Sequence, residues 1–124
     1  MVIVVDDAAG PRSTLGRVLR QDGHEVAELA DAAHLLARLV SLVAFVGLRP
    51  ESIAVVARRE VSVLRVLALL RSGGWRTPVV LIADDVTGAP EPVLGTVATF
   101  RDPPDLSALR AVAWRVAPPL RGDD

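Results

Sequence analysis

Residues 2–7, Val-Ile-Val-Val-Asp-Asp, constrain the fold of this chain more than any other stretch. Four apolar residues lead directly into two carboxylates, Asp6 and Asp7. A short uninterrupted apolar run is typical of a strand that is buried in a parallel sheet. Because ligands of open α/β sheets bind at the carboxyl ends of the strands, the acid pair marks a candidate site. Its chemistry depends on which residues the other strands bring to the same edge.

Apolar segments alternate with helical patterns along the rest of the chain. The predicted strands cover residues 2–6, 24–29, 53–57, 79–83 and 97–100. The predicted helices cover residues 11–22, 32–46, 60–72 and 105–117. Between the last two strands, residues 86–96 hold two prolines and two glycines, so only a shortened fourth helix fits there. This alternation predicts an α/β fold: a flavodoxin-like, doubly wound, five-stranded parallel sheet of order 2-1-3-4-5 with helices on both faces.

Two apolar segments compete for the third strand. In the assignment that we prefer, the second helix runs on to Val46, Gly47 ends it, and residues 53–57 form the strand. In the alternative, the helix is shorter and residues 41–46 form the strand. The preferred assignment leaves an apolar outer face on the helix around Phe45, and an exposed patch of this kind suggests a partner.

Composition limits the chemistry of the chain. With 124 residues it is long enough for a single domain, which we assign to residues 1–117, followed by a tail or the start of a linker at 118–124. Neither cysteine nor lysine occurs, which excludes disulfides, thiol chemistry and lysine amines. A net charge of -1 argues against direct nucleic-acid binding. No apolar stretch is long enough to span a membrane and no signal peptide is visible, so we expect a cytoplasmic protein without a membrane partner.

No group of side chains in the sequence is arranged for catalysis. The serines lack the Gly-x-Ser-x-Gly elbow, and no glycine-rich phosphate loop occurs. The two histidines, His24 and His34, fall on different predicted elements, where surface or boundary positions explain them. We therefore expect no catalytic residue and no enzyme activity, and no cofactor other than a cation.

The order of the segments resembles the receiver domain of bacterial two-component response regulators. The resemblance covers most of the chain and rests on residues 4–7, 17–26, 30–32, 77–80 and 102–106. It implies that the acid pair after the first strand holds Mg²⁺. It also implies that an aspartate ending the third strand accepts a phosphoryl group from a histidine kinase. A threonine or serine ending the fourth strand and a lysine after the fifth strand would then sense the phosphoryl group.

The position of the phosphoryl acceptor carries no carboxylate. Carried over residue by residue, Asp6 and Asp7 match the acid pair of the family, with Mg²⁺ as the implied cation. The acceptor position falls on Val56 in the preferred assignment and on Gly47 in the alternative. Neither residue can form an acyl phosphate, because that reaction needs a carboxylate nucleophile. The sequence therefore resembles an atypical receiver, or pseudo-receiver, that lacks the acceptor aspartate.

The positions that would sense the phosphoryl group are also replaced. The hydroxyl position falls on Ile82, the aromatic switch position on Thr99, and the lysine position on Asp102. Asp102 would join Asp6 and Asp7 in a degenerate acidic pocket at the strand ends, a site that suits a hard cation such as Mg²⁺. These losses agree with one another, because without a phosphoryl group no donor or cation is needed around it.

We therefore expect a signalling module of a bacterial two-component or transcriptional regulator that acts without phosphorylation, through a protein partner or as a homodimer. Candidate interface residues are Arg110 and Trp114 on the last helix, which lie off its inward stripe, and Phe45. Two alternatives stay open. The strand-end pocket could bind a small molecule, or a Mg²⁺-dependent phosphoryl switch could operate with relocated chemistry.

Overall fold

The computed structural model describes residues 1–84 and 96–119. The strands are β1 (Val2–Val5), β2 (Val26–Leu29), β3 (Ala54–Arg58), β4 (Val79–Ala83) and β5 (Thr96–Arg101). The helices are α1 (Ala9–Gln21), α2 (Ala32–Ser41), α3 (Val61–Ser72) and α4 (Leu106–Val116). Apart from Thr96, the segment 86–96, where a shortened helix is predicted, lies outside the described residues, so α4 is the helix predicted at 105–117. No helix in the described ranges has the length and apolar character needed to cross a membrane.

The five strands form one parallel sheet of order β2-β1-β3-β4-β5, which confirms the predicted topology. Val5 at the end of β1 pairs with Leu29 of β2 on one side and with Ala57 of β3 on the other. Because every strand points the same way, all five carboxyl ends lie at a single edge of the sheet. That edge is where Asp6 and the residues that follow the other strands can meet.

Side chains of the strands alternate between two apolar cores, one on each face of the sheet. Ile3 and Val5 point into the core formed with α2 and α3, and Val2 and Val4 point into the core formed with α1 and α4. All four are essentially inaccessible to solvent. The continuous apolar runs of the sequence are explained by this burial on both faces.

The competition for the third strand is resolved in favour of the preferred assignment. Helix α2 continues into a π-helical turn, Leu42–Val46, and Gly47 ends it in the left-handed conformation with φ of 82°. The amide of Leu48 closes the turn on the Leu42 carbonyl at 3.0 Å. The alternative strand at 41–46 is therefore wrong, because Leu42 anchors this segment as a helix against the core.

Most elements differ from the predicted bounds by one or two residues at an end, and the changes in α1, β2 and β3 are the ones that matter for the site. Helix α1 begins at Ala9 rather than Pro11, because the amide of Arg12 already bonds the Ala8 carbonyl. Strand β2 begins at Val26 rather than residue 24. Strand β3 runs one residue beyond the predicted end, to Arg58, and this extension determines the chemistry of the strand-end site.

Candidate functional site at the carboxyl edge of the sheet

Asp6 shapes the turn between β1 and α1. Asp6 as a whole is 6% exposed, and its carboxylate accepts a hydrogen bond from the Ala8 amide at 2.9 Å. Its own carbonyl accepts a hydrogen bond from Nη1 of Arg12 at 2.7 Å. Asp7 is exposed to solvent. The two members of the acid pair therefore differ, since Asp6 is bound into the fold and Asp7 is not.

Arg58 lies at the centre of the strand-end site. It ends β3, one residue beyond the pair that Val5 and Ala57 form, and so lies next to Asp6 in the register. Its Nη1 donates to Oδ2 of Asp102 at 3.0 Å, and its Nη2 donates to Oδ1 of Asp84 at 2.7 Å. The hydrogen bond to Asp102, together with the charges of Asp102, Asp84 and Asp6, raises the pKa of the Arg58 guanidinium above its ordinary value.

This geometry corrects the prediction of a pocket whose charged groups are the carboxylates of Asp6, Asp7 and Asp102 alone. Asp6 and Asp102 do line one pocket, but Asp7 does not. The Arg58 guanidinium adds a positive charge that pairs with Asp102. Arg58 was missed because the predicted strand stopped at Ala57. Extending the parallel register by one residue would have placed Arg58 opposite Asp6.

Neither sequence candidate for the acceptor position lies at the end of β3. Val56 pairs with Val4 in the middle of the sheet and is buried in the core beneath α1 and α4. Gly47 ends the helical segment before β3 and lines a pocket with Met1 and Glu25, which precede their strands. Both assignments are corrected, because the strand end carries Arg58 instead.

The other switch positions lack the groups that sense a phosphoryl oxygen. Ile82 pairs with Phe100 and lines the strand-end pocket, while Ala83 is the last residue of β4. Neither has a hydroxyl group. Thr99 pairs with Leu81 and is partly exposed, and Phe100 packs against the core beneath α1 and α4.

The strand-end pocket has a volume of about 290 Å³ and is mainly apolar. Its lining residues are Asp6, Pro11, Thr14, Leu15, Ile82, Asp102, Pro103, Pro104 and Leu106. Within residues 1–84 and 96–119, no group of three or more His, Cys, Asp and Glu side chains could hold a metal ion. The Asp102 carboxylate binds Arg58, and one oxygen of Asp6 accepts a hydrogen bond from the Ala8 amide, so these oxygens already have partners within the chain. Binding of Mg²⁺ by Asp6 and Asp7 stays a prediction.

The predicted interface residues have different surroundings. Arg110 forms two hydrogen bonds with the Asp22 carboxylate, at 2.8 and 2.6 Å, and ties α4 to the end of α1. These bonds hold the pKa of the Asp22 carboxyl below its usual range. Trp114 is 42% exposed and packs edge-to-face on the His24 ring, with centroids 6.2 Å apart. Phe45 is 86% exposed, which makes it the most accessible of the three.

His24 is buried, contrary to the surface or boundary position expected from the sequence. Its ring is 4% exposed, and neither ring nitrogen has a hydrogen-bond partner of good geometry in the described structure. Burial lowers the pKa of His24, and the nearby amino terminus adds to the effect, while Asp22 and the Ala117 carbonyl oppose it. This burial could not be predicted from the residues around His24, because Trp114 and Ala117 come from the far end of the chain.

Solved structures with the same fold include receiver domains of response regulators. The response regulator StyR has a TM-score of 0.75 at 22% identity, over 94% of this chain and 58% of StyR. The receiver domain of NtrX from Brucella abortus has a TM-score of 0.73 at 22% identity, over 94% of this chain and 98% of that domain. The receiver domain of the hybrid histidine kinase CckA has a TM-score of 0.71 at 21% identity, over 94% and 97% of the two chains. At these identities the likeness establishes a receiver-type fold.

No protein-family model and no curated protein matches the chain. The chain spans 58% of StyR and 25% of an NtrX protein solved in complex with ADP. The solved structures thus establish the fold, whereas the function depends on the residues at the strand ends and on the helices.

Proposed function

We propose that this chain is a phosphorylation-independent signalling module of a bacterial two-component or transcriptional regulator, and that it acts by protein contact. The ion pair between Arg58 and Asp102 carries the proposal. In the receivers that the chain resembles, the third strand ends in the acceptor carboxylate and a lysine follows the fifth strand. Here the cation stands at the first position and the carboxylate at the second, so the pair forms without a phosphoryl group.

The charges at this edge oppose phosphoryl transfer. A phosphoryl group carries negative charge and would approach the carboxylates of Asp6, Asp84 and Asp102, of which Asp84 and Asp102 already bind Arg58. No hydroxyl at Ile82 or Ala83 could donate to its oxygens. The side chains at the edge therefore favour one fixed arrangement over a switch between two states.

A direct test is incubation with acetyl phosphate and Mg²⁺, followed by intact-mass measurement. We expect no gain of a phosphoryl group, and we expect amide NMR spectra that do not change on addition of beryllofluoride and Mg²⁺. A conventional receiver with its acceptor aspartate, treated in parallel, should respond in both assays. A Mg²⁺-dependent phosphoryl adduct that hydroxylamine removes would overturn the proposal and support the switch with relocated chemistry.

The proposed output is contact with a protein, either a partner or a second copy of the chain, in the cytoplasm. The fold offers helical surfaces for this purpose, and neither nucleic-acid binding nor turnover of a substrate is part of the proposal. Phe45, with 86% of its side chain exposed, is the clearest single pointer to a contact surface.

A second candidate function is the sensing of a small molecule in the strand-end pocket. The pocket of about 290 Å³ favours it, since apolar residues such as Ile82 and Leu106 surround the carboxylates of Asp6 and Asp102. A ligand at a hundredfold excess over its Kd should raise the free energy of unfolding by about 2.7 kcal/mol. A thermal-shift screen of small metabolites would test this, and variant Ile82→Trp, which fills the pocket, should abolish any shift.

A further inference from the structure

Exposed apolar side chains are concentrated on one side of the molecule. Of the seven large apolar side chains that are exposed in the described ranges, five lie on α2, its π-helical turn and α3. These five are Val40, Phe45, Val46, Val61 and Leu69. Such a one-sided distribution exceeds the scattered single exposures that are normal for a surface, and it marks this side as a contact region.

The π-helical turn explains why Phe45 and Val46 are exposed. Leu42, at the start of the turn, is buried in the core beneath α2 and α3. The wider turn and the left-handed Gly47 then end the helix, leaving Phe45 86% and Val46 63% exposed. Single π-helical turns of this kind are frequent at functional sites.

The apolar surface continues between the two helices. On α2, Val40 borders Leu36 and Val43, because residues three and four apart share one side of a helix. Leu36 and Val43 are partly buried against the same core as Val66 of α3. Helices α2 and α3 pack against each other, and Leu69, three residues after the partly buried Val66, is exposed on α3. We refer to Val40, Phe45, Val46 and Leu69 as the α2–α3 face.

The charges within the helical segments of this side have a single sign, while Asp31, Glu51 and Glu60 lie just outside those segments. Residues 32–50 and 61–76 contain no aspartate or glutamate. They contain five arginines, Arg38, Arg49, Arg65, Arg71 and Arg76. Arg71 donates to the backbone carbonyls of Trp75 and Thr77. Among residues 1–84 and 96–119, no carboxylate forms an ion pair with Arg38, Arg49 or Arg65. The whole chain has a net charge of -1, so the positive charge is local to this side.

We propose that the α2–α3 face docks an amphipathic helix of a partner protein whose apolar stripe is flanked by acidic residues. The proposal rests on the proposed function and names the class of partner. The apolar side chains would receive the stripe, and the arginines would pair with carboxylates on either side of it. A second copy of this chain would bring the same arginines to the contact, so like charges would meet.

Three synthetic helical peptides with one shared leucine stripe and with glutamate, glutamine or lysine at the flanking positions test the proposal. Binding to the whole chain is measured by fluorescence anisotropy. We expect the glutamate peptide to bind at least tenfold more tightly than the lysine peptide, and its affinity to fall with added salt. Phe45→Ser and Leu69→Ser should each weaken binding about tenfold or more. Val97→Ser, which removes an exposed valine on β5, is the matched control and should bind as the unaltered chain does.

Equal binding of the glutamate and lysine peptides, or full binding by Phe45→Ser, would overturn the proposal. So would sedimentation of the unaltered chain as a dimer that Phe45→Ser converts to a monomer, because the face would then be occupied by a second copy. Repeating the measurement with beryllofluoride and Mg²⁺ separates the two proposals. Binding that occurs only with beryllofluoride would refute independence from phosphorylation while leaving the docking face in place.

Discussion

The carboxyl edge of the sheet and the α2–α3 face differ in whether their charged side chains are paired within the chain. At the edge, the Arg58 guanidinium binds Asp84 and Asp102, and the Asp6 carboxylate binds a backbone amide. Around the α2–α3 face, arginines such as Arg65 lie among exposed apolar side chains without any acidic residue on the same two helical segments. The edge is satisfied internally, whereas the face is complementary to something outside the chain.

Under the proposed function, this difference assigns the signalling contact to the helices and not to the strand ends. Internally paired charges fix one arrangement of the strand ends and leave little for a ligand to change. An exposed apolar surface with charges of one sign is stabilised only when a partner covers the apolar side chains and pairs with the charges. We therefore place the output of this chain on the helices and treat the strand ends as a fixed support.

Reversing the charge at position 58 should have the largest effect on stability. Arg58→Asp removes both hydrogen bonds and adds a fourth carboxylate beside Asp6, Asp84 and Asp102. Because Asp84 is largely exposed, we expect a loss of about 2 kcal/mol in the free energy of unfolding. Adding Asp102→Arg should recover part of the loss, with a coupling energy of about 1–3 kcal/mol. Urea denaturation of the two single variants and the double variant measures this coupling.

Arg65→Asp, on the exposed side of α3, is the control for charge reversal and should cost no more than about 0.5 kcal/mol. If Arg58→Asp were as mild as Arg65→Asp, or if Asp102→Arg gave no recovery, the strand-end ion pair would contribute nothing. The contrast between the edge and the α2–α3 face would then be lost.

The topology was predictable from the sequence because it depends on local patterns. Apolar runs alternating with helical segments predict the parallel sheet, and Gly47 correctly predicts where the second helical segment ends. The strand-end pair was not predictable from segments taken singly, since Arg58 and Asp102 are 44 residues apart. The pair depends on the register of neighbouring strands. The predicted strand ended at Ala57, whereas β3 ends at Arg58 in the structure. Burial of His24 was also not predicted, because Trp114, which packs on its ring, is distant in the chain.

The end of the π-helical turn depends on a glycine. Gly47→Ala should lower the free energy of unfolding by about 1–2 kcal/mol, because a φ of 82° is unfavourable for a residue with a Cβ. No neighbouring atom lies within 4 Å of the added methyl group, so the cost is conformational rather than steric crowding. Gly10→Ala, within α1, is the matched control and should stabilise by about 0.5–1 kcal/mol. Urea denaturation of both variants would show opposite signs, and a neutral Gly47→Ala would contradict the strain.

His24 is a buried polar group whose ring nitrogens lack a hydrogen bond of good geometry within the described residues. Its pKa is lowered in the folded chain by burial, so the unfolded chain takes up a proton at a higher pH than the folded chain. The His24 contribution to stability should be complete above about pH 6.5 and fall as the pH drops below it, by at most about 1.4 kcal/mol per pH unit. His24→Phe should remove this contribution and leave the slope of the partly buried Met1 amino group, whose pKa is also lowered, while His34→Phe at an exposed position should keep the full slope. Urea denaturation between about pH 7.5 and about 5 measures the slope, and an undiminished slope below about pH 6.5 in His24→Phe would contradict the assignment.

Removing the most exposed apolar side chain should have the smallest effect on the fold. With 86% of Phe45 accessible to solvent, Phe45→Ser removes almost no packing and should change the free energy of unfolding by less than about 0.5 kcal/mol. Leu42→Ser, three residues earlier and buried, should be far more costly, because it leaves a cavity and a hydroxyl in the core. Urea denaturation compares the two. A large loss from Phe45→Ser would mean that Phe45 supports the fold, and then its exposure could not be assigned to a partner. A negligible loss leaves contact with another protein as the physical reason for an exposed phenylalanine on an arginine-rich surface.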